Sequence, residues 1–72
     1  MPKLPHLSGL EIVRRLGKLG FAVARQKGNH VVLRRGESGC VVPMHNEVKV
    51  GTLAGILRQS GVSTDAFLAA DK

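Results

Sequence analysis

His30 and the run before it, Arg25-Gln26-Lys27-Gly28-Asn29, combine the residue types that proton transfer at a phosphate requires. Imidazole both gives and takes a proton near neutral pH. Arg25 and Lys27 would draw an anion to it, Gly28 permits close backbone approach, and Asn29 donates or accepts hydrogen bonds. RNA suits such a group because each scissile phosphate has its own nucleophile beside it, the 2′-hydroxyl. A positioned acid or base with cations to stabilise the developing charge is then enough. The same placement fits a strand-start histidine that hydrogen-bonds a loop carbonyl, and geometry separates the two readings.

Other residues join this set with alternatives open. Arg34 lies four residues beyond His30 in the same expected strand and can add charge to the same face. His45, in Val42-Pro43-Met44-His45, can orient His30, contact phosphate or stand as an exposed loop residue. Lys49 precedes Val50-Gly51-Thr52-Leu53, where helix-end amides can receive a phosphate or simply start a helix. His6 sits in a Pro-bounded terminal segment and reads as solvated. The five acids, Glu11, Glu37, Glu47, Asp65 and Asp71, fall on separate elements, which argues against a two-metal nuclease site. No G-x-G-x-x-G or Walker pattern surrounds Gly28, so no cofactor is expected.

Composition points the same way. Seventy-two residues make one domain with room for a two-layer core and no deep cavity, so a site belongs on the surface. Eleven Lys+Arg against five Asp+Glu give a net charge of +6, which suits a polyanion. The cations are spread through the chain, as on a charged folded surface and unlike a basic tail. Phe21 and Phe67 are the only aromatic residues, so contacts to an RNA backbone must outweigh base stacking. The single Cys40 has no disulfide partner and no zinc-finger spacing around it, and reads as a core filler with no structural metal. No apolar run approaches the roughly 20 residues that span a bilayer. Met1-Pro2-Lys3-Leu4-Pro5-His6 lacks the apolar stretch of a secretory signal, so a cytoplasmic location is expected.

Several elements must position these groups. Ser8 and Glu11 form a capping box that starts a helix over about Gly9 to Leu19, with Leu7 and Ile12 as a staple. Leu10, Val13 and Leu16 are expected inside, Arg14, Arg15 and Lys18 outside, and Gly20 as a left-handed end. Phe21 to Arg25 alternates as a strand covered on one face, and Gln26 to Asn29 turns. In the strand His30 to Arg35, Val31 and Leu33 share one face and His30, Val32 and Arg34 the other. Gly36 to Gly39 is a second turn, and Cys40 to Val42 a third strand that Pro43 stops. A second helix runs from Val50 to Ser60 and ends at Gly61, and Ser63-Thr64-Asp65 caps a short third helix through Ala70. The result is an α+β sandwich with helices on one face of a three-stranded antiparallel sheet.

At this point known residues accumulate. Leu19-Gly20-Phe21, Gln26-Lys27-Gly28-Asn29-His30, Val42-Pro43-Met44-His45, Lys49-Val50-Gly51-Thr52-Leu53 and Ile56 through Ser63 together resemble the HicA family of bacterial toxins, also called YcfA-like. The resemblance spans about Ser8 to Leu68, leaving roughly residues 1–7 as an extension of a single HicA-like domain. It implies an mRNA interferase toxin with a double-stranded-RNA-binding-domain-like fold, active without metal and held inactive by a HicB-type antitoxin. In that family the histidine of a Gly-Ser-His segment is catalytic, and His30 takes its place. Asn29 stands where serine is usual, and Val31 where many members carry a second histidine.

Three functions therefore compete. The first is an endoribonuclease, with His30 catalytic and Arg25, Lys27, Gly28, Asn29, Arg34, His45 and Lys49 holding RNA. The second is an RNA-binding module of the same fold without chemistry. The third is an interaction protein that docks an acidic partner on the open sheet face through Ala22, Ala24, Val32 and either Cys40 or Val42.

Overall fold

The computed structural model describes residues 4–71. Its elements run α1 (Gly9–Lys18), β1 (Ala22–Lys27), β2 (His30–Arg35), β3 (Ser38–Pro43), α2 (Val50–Ser60) and α3 (Thr64–Ala69), the α-β-β-β-α order followed by a short helix. The strands form one antiparallel sheet in the order β1-β2-β3.

Helix α1 starts on half of the expected capping box. The Ser8 hydroxyl accepts from the Glu11 amide at 3.1 Å. The Glu11 carboxylate turns forward instead, accepting from Arg14 Nε and Arg15 Nε, each at 2.9 Å. Those two guanidinium groups hold its carboxyl well below the ordinary range, at about 2, with Arg14 the larger cause. Gly9, Ile12 and Leu16 form the buried stripe, so Leu10, expected inside, is 69% exposed. Leu10 lies two residues from Ile12, about 200° around the helix. Arg15, expected outside, is half-buried with its guanidinium 5.3 Å from the Phe67 ring centre. The helix stops at Lys18, one residue early, with Leu19 as its cap and Gly20 following at φ 99°.

Both hairpins are tighter than expected. Lys27 pairs with His30 and Arg35 with Ser38, leaving two-residue turns at Gly28-Asn29 and Gly36-Glu37. In each the glycine comes first, at φ 59° and 61°, as a type II′ turn requires. The saved residues lengthen β1 and β3 beyond the expected Phe21–Arg25 and Cys40–Val42.

On the closed face, Val31, Leu33, Cys40 and Val42 meet Ile12, Leu16, Leu53, Ile56 and Phe67. Helices α1 and α2 pack against β3, whereas every residue of β1 is exposed, although alternation had suggested one covered face. Cys40 is buried as expected of a filler, and burial pushes its thiol pKa up. The segment before α1 is drawn in: Leu4 and Leu7 pack on the core, and the Val48 amide donates to the Leu7 carbonyl at 2.7 Å. Gly9 touches the end of β3 so closely that a Cβ there would collide with the Pro43 carbonyl and Met44 Cα.

Candidate functional site

Residues paired across antiparallel strands share a face, so the register gives the composition of the open side. Lys27, His30 and Pro43 form the row at the first hairpin. Arg25, Val32 and Val41 form the next, and Ala22, Arg34 and Gly39 the one after it. Three cations and a histidine stand there without a carboxylate in any of the three rows. Cys40 and Val42, offered as alternatives for this face, lie on the closed one.

Arg25 belongs to this face because of a β-bulge. The register shifts between Val23 and Arg25, leaving Ala24 without a partner on β2. Strict alternation from Phe21 would send Arg25 and Lys27 to the closed face. The extra residue lets Phe21 enter the core while both cations stand beside His30.

His30 opens β2 and is exposed. Among the described residues its ring makes no hydrogen bond, so the expected loop-carbonyl alternative finds no partner. The backbone around it is fixed. The Asn29 carbonyl accepts from the Met44 amide at 2.6 Å, and the His45 carbonyl accepts from the Gly9 amide at 2.9 Å. These bonds pin the turn to the end of β3, and that end to the start of α1. His45 is thereby held two residues beyond Pro43, the cross-strand partner of His30, with its side chain exposed.

Lys49 is in none of the three rows: it is the exposed N-cap of α2 and makes no side-chain capping bond. Val31, the next residue along β2, is 4% exposed in the core, on the face opposite His30. His6 pairs with Glu47 at 2.9 Å, both exposed.

The remaining cations divide by use. Arg14 and Arg15 are engaged by Glu11. Arg35 donates to the Leu19 carbonyl at 2.7 Å and lies 4.6 Å from the Phe21 ring centre. Arg25, Lys27 and Arg34, which share the open face with His30, have no acidic partner among the described residues, and neither have Lys18, Lys49 and Arg58. No cluster of three His, Cys, Asp or Glu side chains suited to a metal occurs among the described residues. No described helix is long and apolar enough to cross a membrane.

A family model described as the HicA toxin of bacterial toxin-antitoxin systems matches residues 9–62. The chain belongs to the HicA toxin family. The match begins at the first residue of α1 and ends just beyond α2, so it takes in the whole sheet and the His30 hairpin and leaves α3 outside. Neither a curated protein nor a solved structure matches the chain. HicA toxins are generally mRNA interferases, and a HicA toxin implies a cognate antitoxin.

Proposed function

We propose that this HicA-family toxin is a metal-independent endoribonuclease that cleaves mRNA in the cytoplasm by proton transfer at His30. The observation that carries the reading is the open face itself, where His30 stands with Arg25, Lys27 and Arg34 and with no carboxylate in its rows. Such a face attracts a phosphate backbone and leaves the imidazole accessible to it.

In the proposed reaction the 2′-oxygen attacks the adjacent phosphorus and the bond to the 5′-oxygen breaks. His30 takes the 2′-hydroxyl proton or gives one to the departing oxygen. Lys27, directly across the ladder, and Arg25, one row away, stabilise the charge on the phosphorane. Gly28 and Asn29 form the rim of the site, and His45 stands at its β3 side. Products then end in a cyclic phosphate or 3′-phosphate. A HicB-type antitoxin would inhibit by covering this face with acidic groups.

One observation favours a second reading, a non-catalytic RNA-binding module. Nothing among the described residues orients the His30 ring, whereas a general base is normally held by a third group. Incubating purified wild type and His30→Ala with mRNA, with and without EDTA, separates the two. Histidine-dependent, EDTA-resistant scission with cyclic or 3′-phosphate ends supports the nuclease. Cleavage that persists in His30→Ala, or that EDTA abolishes, rules the mechanism out, and binding without scission by wild type selects the module.

A further inference from the structure

The second and third rows of the open face carry a further feature, a shallow hollow of about 430 Å³ lined by Val32, Arg34, Gly39, Cys40, Val41 and Gln59. It lies around β3, one of the two edge strands of the sheet, and Gln59 reaches it from α2. Its surface has the two characters a nucleobase needs. Val32 and Val41, cross-strand partners, supply apolar contact, and the Arg34 guanidinium and the Gln59 amide supply hydrogen bonds. Gly39 keeps the surface low. A Cβ at Gly39 would come within 3.6 Å of Arg34 Cγ and 4.0 Å of its Nη1, so the arginine lies across the glycine.

Position decides what enters. Arg34 is four residues along β2 from His30, about 13 Å at the rise of an antiparallel strand, and Val32 about half that distance. A single RNA strand with its scissile phosphate at His30 therefore brings a base over the hollow within one or two nucleotides. Resting on the reading of this face as an RNA surface, we infer that the hollow is a nucleobase subsite, where Gln59 and Arg34 read a base edge and set the sequence preference of the toxin. Gln pairs bidentately with adenine and Arg with guanine, so the site favours a purine. With no aromatic residue in the lining, discrimination comes from these two side chains and not from a stacking platform.

The test uses binding and so does not depend on cleavage. Random-sequence hexaribonucleotides are selected on the His30→Ala protein and on His30→Ala carrying Gln59→Ala, Arg34→Lys or Lys27→Gln, and the bound pools are sequenced. The His30→Ala protein should enrich a purine at one position, and Gln59→Ala or Arg34→Lys should reduce that enrichment at least about fivefold, the lower end for losing a bidentate base contact. Lys27→Gln should weaken all sequences alike and keep the preference. Absence of any positional preference, or a preference that survives both Gln59→Ala and Arg34→Lys, overturns the subsite. Loss of antitoxin inhibition in those variants with base preference intact would assign the hollow to a protein and overturn it as well. Failure of the nuclease reading shows separately, as unaltered cleavage by His30→Ala in the mRNA assay.

Discussion

The two hairpins of this sheet have the same turn and opposite roles. Each is a two-residue loop with glycine first at φ near +60°, and each is flanked by a cation, Lys27 at one and Arg35 at the other. Strand β2 between them is six residues long, and with a period of two its first and last residues point to opposite faces. The pair Lys27 and His30 therefore stands on the open side, while Arg35 and Ser38 stand on the helical side. There Arg35 is used up on the Phe21 ring and the carbonyl of Leu19, the residue that caps α1. Turn chemistry places a side chain at the end of a strand, and strand length decides whether it serves packing or a ligand.

The largest expected effect breaks the comparison at its functional end. Replacing His30 by Ala should lower RNA cleavage by about 10²–10⁴-fold, the usual contribution of general acid–base catalysis. Thermal unfolding should be nearly unmoved, because the ring is exposed and has no hydrogen-bond partner among the described residues. The matching change at the other hairpin, Ser38→Ala, should leave cleavage at the wild-type rate. Equal activity in His30→Ala and wild type would remove the distinction between the two ends.

Much of this arrangement is readable from residue order, for identifiable reasons. The faces of β2 follow from period two, because Val31 and Leu33 alternate with His30, Val32 and Arg34. Helix α2 follows from its apolar spacing and Gly61, and α3 from the Ser63 cap. The bulge at Ala24 gives no local signal: the chain alternates smoothly from Phe21 to Ala24, and only pairing with β2 reveals the extra residue. Leu10 misleads because hydrophobicity alone does not choose between two possible stripes, and close contact of Gly9 with the end of β3 does. The role of Arg35 needs the third dimension, since nothing in the sequence places it beside Leu19 and Phe21. The hollow under Gln59 is equally a product of packing, formed by residues from β2, β3 and α2.

A paired substitution in the turns comes next in size. At φ near +60° a Cβ is strained, and nothing lies within 4 Å of the Cβ position at either glycine, so Gly28→Ala and Gly36→Ala should each cost about 1–2 kcal/mol through the backbone alone. Urea titrations should give similar midpoints for the two. RNA binding measured well below those midpoints should fall only for Gly28→Ala, whose turn positions Lys27 and His30. Two variants of equal stability but unequal RNA affinity would sharpen the contrast, and equal affinities would erase it.

Arg35→Ala is smaller, about 1 kcal/mol, for one exposed cation–π contact and one hydrogen bond to a helix-end carbonyl. It should lower the unfolding midpoint and leave RNA affinity almost intact, although it removes the same formal charge as a change at Lys27.

Lys27→Gln completes the pair and is the most sensitive test of where charge acts. Each phosphate neutralised by a cation contributes about 0.7 to the slope of log K against log salt on a single strand. If Lys27 meets a phosphate beside His30, the slope for single-stranded RNA should shrink by about that amount in Lys27→Gln and stay the same in Arg35→Ala. Net charge falls by one in both variants, so a surface that attracts RNA only through its overall excess of positive charge would give two equal slopes. Unequal slopes would place the phosphate track on the open face, at the hairpin where β2 begins.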